Sequence, residues 1–277
     1  MVIDFHTHTF PDKIAAAAVE KLRAASGTVN FTDGTNTALE RSMKNAGIDL
    51  SVVLPVATNP EKVTHINEIS ASLCSDRLIH FGCLHPEADD IEGEARHIAS
   101  LGLRGVKIHP VYQGVDIDDD KFIRVLNACA DAGLIVVTHA GLDIGFPGVV
   151  HCSPKMIKRA LSLASGVTLV LAHMGGWRCW DEVAQCYADT GVYIDTSFSL
   201  GALTPTDGRY TEKELQMLGQ EDFVSIVRAV GADHVLFGTD SPWGDEATSL
   251  ADVSSLPLSD DEKKLILGEN AKRLLKI

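Results

Sequence analysis

A chain of 277 residues that is 45% hydrophobic and 22% charged has ample apolar material for a sizeable core and an ordinary globular composition. Its 38 acidic residues against 24 basic ones give a net charge of −14, which argues against nucleic acid and anionic membrane surfaces as partners. A small anionic substrate remains admissible, because a metal ion and a few local cations can reverse the potential inside a cleft.

No apolar run reaches the 18 or more residues of a membrane span, and the first strand signal at Val2 leaves no room for a leader segment. A cytoplasmic location is therefore expected. The six cysteines (Cys74, Cys83, Cys129, Cys152, Cys179 and Cys186) form no CxxC pair and fit reduced thiols.

Strand and helix signals alternate along the chain. Apolar, β-branched runs predict eight strands at 2–6, 51–54, 79–83, 104–108, 135–139, 168–173, 192–195 and 235–239. The stretch 121–132 is a predicted helix with Phe122, Val125, Leu126 and Cys129 on one face. Another is predicted over 155–165, after Ser153 and Pro154, a cap and first-turn pair. Gly47, Gly102, Gly133, Gly166, Gly191 and Gly231 stand before strands, where left-handed helix ends are expected. Eight βα units without a linker or low-complexity stretch predict a single (β/α)8 TIM barrel over 1–277. The insert 196–220 follows the seventh strand and is open to two readings, a lid or a surface loop. The terminal KKLILGENAKRLLKI predicts a closing amphipathic helix.

Five residues occupy one kind of local context, the end of a short apolar run. They are His6 and His8 in VIDFHTH, His139 in IVVTHAG, His173 in LVLAHMGG and Asp240 in VLFGTDSPW. Residues two apart on a strand share a face, so His6 and His8 can grip one ion together. The same parity puts His139 above Ile135 and Val137, His173 above Leu169 and Leu171, and Asp240 above Leu236 and Gly238. Imidazole and carboxylate are the usual ligands of a catalytic zinc-like ion. A single such histidine is more often a hydrogen-bonded core residue, but the ordered series reverses that balance.

The blocks DFHTHTFPD, GLRGVKIHPVYQG, THAG, AHMGG, GTDSPW and GENAKRLL, in this order along essentially the whole chain, resemble the amidohydrolase superfamily. The similarity is to its amidohydrolase-2 branch, which holds aminocarboxymuconate-semialdehyde decarboxylase-like enzymes, lactonases and hydrolases. The resemblance implies one divalent metal, commonly zinc with manganese as the alternative, on His6, His8, His139 and Asp240. It makes His173 and Asp240 the catalytic pair: His173 orients water or substrate, and Asp240 takes and returns a proton. The metal would acidify a bound water and polarise a substrate carbonyl.

Lys107 has two readings. Binuclear members carry a carboxylated lysine at the end of strand four, which would bridge a second metal. In the branch resembled here, the lysine is instead a cation for substrate or for a buried carboxylate. His109, two residues on, Arg178 and Trp243 are candidate substrate contacts, with packing roles as the competing reading; Gln113 is a weaker candidate. Arg104, His85, Trp177, Trp180, His151, Cys152, Asp4 and Asp195 are read first as structural groups or, for the tryptophans and His85, equally as site wall.

The resulting expectation is a metal-dependent hydrolase of a small amide, lactone or cyclic imide. The alternative is a non-oxidative decarboxylase of a small unsaturated or aromatic carboxylic acid. A TatD-like nuclease would want an acidic ligand where Lys107 stands, and a non-catalytic barrel would be expected to have lost a ligand. The expected partner is a small molecule, anionic if the cations face it, with a homo-oligomer left open.

Overall fold

A computed structural model describes all residues, Met1–Ile277. Contacts group into two compact units, Met1–Val52 with Asp195–Ile277, and Val53–Ile194. No helix is long and apolar enough to cross a membrane, and all six cysteines are free.

In the first unit the strand Ile3–Thr7 is buried along its whole length, so both faces must be covered. On one side it neighbours Leu50–Val53, and the Thr7 hydroxyl donates to the Val52 carbonyl at 2.8 Å. On the other it meets the segment after the short strand Val235–Leu236. Phe5 N donates to Phe237 O at 2.7 Å, Asp240 N to His6 O at 2.8 Å, and His8 N to Ser241 O at 2.6 Å. The same segment receives Thr196 N on Leu236 O at 3.0 Å. The helices Asp12–Ser26, Asn36–Ala46, Gln220–Val230 and Glu246–Ser255 belong to this unit.

The predicted closing helix is helical but not uniform. A wide π turn over Leu265–Glu269 separates Asp260–Lys264 from Asn270–Leu275. Ile266, in that turn, accepts a backbone bond from Phe237 N at 2.9 Å, so the irregularity lets the helix dock on the strand end.

In the second unit the strands Gly82–Cys83, Gly105–Ile108, Ile135–Thr138, Thr168–Leu171 and Tyr193–Asp195 run parallel in that order. Lys107 pairs with Cys83 on one side and Val137 on the other. The helix Asp120–Asp131 buries Phe122, Val125, Leu126 and Cys129, the expected face. The helix Pro154–Leu163 opens with Ser153 accepting from Met156 N.

The single strand expected over 79–83 is two pieces, Leu78–His80 and Gly82–Cys83, broken at the fully buried Phe81. The Phe81 ring fills the space above Gly105, where a Cβ would come within 2.4 Å of it. Its amide donates to Val53 O at 2.9 Å. The ring packing and this bond locally override β periodicity. Of the six helix-ending glycines, Gly47 is itself a left-handed cap, whereas Gly166 and Gly191 lie in turns beyond helices that have already ended.

Two stability tests arise from this packing. Buried Asn270 donates to the carbonyls of Ala232 and Val235, both at 2.8 Å. Asn270→Ala leaves both without that donor, and we expect a loss of about 2–4 kcal/mol, read as a lower denaturant midpoint at unchanged m-value.

Burial of His80 lowers its pKa from 6.5 to about 4. Below about pH 6.5 the unfolded chain takes up a proton that the folded chain refuses, so this contribution to stability is present at pH 7 and lost as pH falls toward 4. His80→Leu should flatten the pH dependence of stability in that window by up to about 1.4 kcal/mol per pH unit, measured by denaturation at pH 7, 6, 5 and 4. An unchanged slope would show that His80 is already protonated in the native state.

Candidate metal centre

His6 lies within the strand Ile3–Thr7, and His8 follows its end. His6 is fully buried and the His8 side chain is 17% exposed. Their Nε2 atoms are 3.1 Å apart. Asp240 Oδ1 is 3.4 Å from the first and 3.1 Å from the second. A triangle with these edges has its three corners ~1.9 Å from a common centre, so an ion slightly off the plane can lie ~2.0–2.2 Å from all three atoms. Three ligand atoms this close, two of them nitrogens of rings that need not both be protonated, suit a divalent cation.

The orientation of His6 is set from behind. Asp195 Oδ2 stands 2.7 Å from His6 Nδ1, and an ionised carboxylate can only accept, so Nδ1 carries the proton and Nε2 keeps its lone pair. Ser197 donates its hydroxyl to Asp195 Oδ1 at 2.5 Å and lies 3.1 Å from His6 Nδ1. Gly238 leaves the room His6 needs, since a Cβ there would stand 2.9 Å from His6 Cβ.

Asp4 accepts from His6 N at 3.1 Å, Thr239 N at 3.0 Å and the Thr239 hydroxyl at 2.5 Å. It thereby ties the strand to the Asp240 loop. Burial and then nearby Glu246 hold its carboxyl well above the usual range.

Strand parity does not place Asp240 or His173. The strands that precede them, Val235–Leu236 and Thr168–Leu171, have already ended, and both residues have left-handed backbone, φ 66 and 60. Non-glycine residues adopt this region at a cost of order 1 kcal/mol, and such outliers cluster at functional sites. Asp240 is held there by its amide on His6 O and by Trp243 N on its own carbonyl, both at 2.8 Å.

The second unit carries the other sequence-selected residues apart from Trp243. His139 Nδ1 is 3.1 Å from His173 Nε2, and His139 Nε2 is 2.9 Å from Leu142 O. His109 stacks on His139 with centroids 4.3 Å apart and planes at 14°. His109 Nε2 stands 3.5 Å from Asp143 Oδ2, whose other oxygen accepts Gly145 N at 2.7 Å. The ligand atoms of His109, His139 and Asp143 lie within 4.8 Å of one another. However, the in-plane lone pairs of two stacked rings run side by side, so this group converges on a point less well than the His6 trio does.

Asp143 was not selected from the sequence. Its place four residues after His139 in THAGLD is the only local signal.

Lys107 is 1% exposed in the strand Gly105–Ile108. Gln113 donates to Ala57 O at 3.0 Å and Leu84 O at 2.7 Å and accepts His109 N at 2.9 Å, so it braces loops. Arg178, also left-handed, lies over Trp177 at 4.8 Å and Trp180 at 5.9 Å. Trp180 donates its indole N–H to His173 O at 2.9 Å. His85 accepts Glu87 N at 3.1 Å in a turn, and Arg104 is exposed. His151 pairs with Asp116 at 2.6 Å, while Cys152 is buried, which pushes its thiol up. The two residues therefore make no ligand pair. In the first unit, half-buried Trp243 lines a cavity with the 196–220 insert.

Parallel strands with intervening helices define an α/β protein of the TIM-barrel class, and the histidine–carboxylate cluster gives it a candidate metal centre. The chain belongs to the amidohydrolase family, whose sequence profile matches residues 3–277. It is similar to an uncharacterized TIM-barrel protein from Bordetella bronchiseptica (20% identity, TM-score 0.76, 99% of this chain and 98% of that one). It is also similar to 5-carboxyvanillate decarboxylase from Sphingomonas paucimobilis (17% identity, TM-score 0.70, 100% and 99%). A third similar structure is a dihydroxybenzoic acid decarboxylase from Polaromonas sp., which holds manganese and the inhibitor 2-nitroresorcinol (14% identity, TM-score 0.70, 99% and 96%). No curated protein matches the chain.

The Asp195–His6 bond yields a direct test. In Asp195→Asn the carbonyl oxygen stays on the Ser197 N–H and hydroxyl, which turns the amide NH2, a donor, toward His6 Nδ1, and affinity for Zn²⁺ and Mn²⁺ should fall about 10–100-fold. Chelator competition measures this; unaltered affinity would remove His6 from the ion.

Proposed function

We propose that this protein is a divalent-metal-dependent carboxy-lyase, removing CO2 from a small aromatic or unsaturated carboxylic acid. The observation that carries the metal-dependent part is the convergence of His6 Nε2, His8 Nε2 and Asp240 Oδ1 at 3.1–3.4 Å. The decarboxylase choice is supported by the 5-carboxyvanillate and dihydroxybenzoic acid decarboxylases among the similar structures. A buried lysine in a chain of net charge −14 supports an anionic substrate. We assign His139 as a further ligand and turn His173, Lys107, His109 and Arg178 toward the substrate, whereas Trp243, expected there from the sequence, lines the cavity beside the insert instead.

The ion, zinc or manganese, would supply Lewis acidity toward a substrate oxygen. Asp240 holds a proton at its carboxylate and delivers it to the carbon that loses CO2. The C–C bond breaks, its electron pair stays on that carbon, and the proton completes the product. Lys107 counters the substrate's carboxylate charge, and burial away from water strengthens that attraction. His173 donates a hydrogen bond where negative charge develops.

Hydrolysis is the second reading, favoured by the same Asp240. A carboxylate beside an ion can take a proton from water as readily as give one to carbon.

The experiment is turnover of a panel of hydroxybenzoates and of lactones by protein loaded with Zn²⁺ or Mn²⁺, followed by CO2 release and by NMR. Release of CO2 from an aromatic acid, abolished in Asp240→Asn at retained metal content, is the expected result. Lys107→Met should lower kcat/KM for the acid by about 10–100-fold, and less for a neutral analogue. Ring opening of lactones without CO2 release would replace the lyase reading with the hydrolase one. A fall in metal content in Lys107→Met would make Lys107 a ligand instead.

A further inference from the structure

Within the first unit, the 196–220 insert and the helix Glu246–Ser255 enclose a cavity of about 280 Å³. Phe31, Phe198 and Trp243 give it flat apolar walls, and Asp245 and Asp252 give it charge. No lysine, arginine or histidine lines it, and neither do the three atoms of the candidate metal centre. Alternation along the chain explains that separation. Asp195 and Ser197 turn toward His6, whereas Thr196, between them, donates to Gly238 O at 2.9 Å and lines the cavity.

The loops after the last two strands of a parallel barrel commonly cradle phosphate at a helix N-terminus. This chain has closed that option. Asp245 caps the helix itself, accepting from Thr248 N at 2.9 Å and the Thr248 hydroxyl at 2.6 Å. Asp245, Thr248, Ser249 and Asp252 follow at i, i+3, i+4 and i+7, so they present one face to the cavity. Two carboxylates without a compensating cation repel an anion. Burial holds the Asp252 carboxyl above its ordinary range, so a cation beside it regains the charged form. An indole face adds its own preference for positive charge.

We propose that this cavity is a second ligand site, distinct from the metal centre, that takes a small arylalkyl ammonium compound. The amine meets Asp252 and the ring lies against Trp243 and Phe198. The volume limits the ligand to about one ring with a short chain. The site stands independently of the reaction proposed above.

Titration calorimetry of the full chain with tyramine tests it, beside para-ethylphenol, which lacks the amine, and para-hydroxyphenylacetate, which replaces it by a carboxylate. Tyramine should bind one to one, with the carboxylate at least about tenfold weaker. Asp252→Asn, checked for an unchanged melting temperature, should weaken tyramine about tenfold and leave para-ethylphenol unaffected. Tyramine binding should persist in His8→Ala, which separates this site from amine coordination at the trio. Amide NMR shifts in the unmutated protein should centre on 198–204 and 245–253, a readout that does not depend on any variant folding. No saturable tyramine binding, equal affinity for the carboxylate, indifference to Asp252→Asn in folded protein, or shifts centred on His6 and His8 would each overturn the assignment.

Discussion

Three backbone hydrogen bonds lock the first strand against the segment 237–241, and the candidate metal centre depends on their register. Phe5 to Phe237, Asp240 to His6 and His8 to Ser241 set where Asp240 stands relative to the two histidines. A slip of one residue would turn His6 and His8 to the opposite face and separate all three ligand atoms. The register is itself protected by Asp4, whose carboxylate bonds the backbone of His6 on one side and both N–H and hydroxyl of Thr239 on the other. A buried carboxyl group is expensive, and this one is tolerated because two of its three bonds, both from Thr239, join the segments that must not slide.

The same economy of purpose governs the second row of side chains. Asp195 fixes His6, and Ser197 fixes Asp195. Asp195 ends the strand Tyr193–Asp195 and Ser197 follows it, so the residues that aim His6 come from the element next to the one that leads to Asp240. A neutral imidazole with its free nitrogen pre-aimed loses little entropy on taking an ion, which is why such carboxylate–histidine pairs govern affinity so strongly.

How much of this could be read from the chain depends on range. Local periodicity located most strands to within a residue or two, although the last ends at Leu236 and not at 239, and it identified the buried face of Asp120–Asp131, because those patterns answer to neighbouring residues alone. The pairing of His6 with His8 was legible for the same reason. Parity failed for His173 and Asp240, whose positive φ values lie beyond the ends of their strands, and no single-residue pattern announces a left-handed Asp or His. The break at Phe81 was hidden because its cause, the space over Gly105, lies 24 residues away. Asp143 and Ser197 went unselected as site residues because a polar loop residue acquires meaning only through the partner that the fold brings to it.

Charge is arranged by location here rather than by total. With 38 acidic residues, the chain could place carboxylates almost anywhere, yet the buried cation Lys107 sits in a strand interior while the cavity under the insert is lined by aspartates and no base. An ammonium group strips its water at high cost, so a lysine kept at 1% exposure in a strand implies compensating negative charge around it, supplied by the protein or by what it binds. The cavity carries the opposite imbalance in a different part of the chain. The aspartates of the cavity repel an anion, so a carboxylate substrate of the kind proposed is not drawn to it.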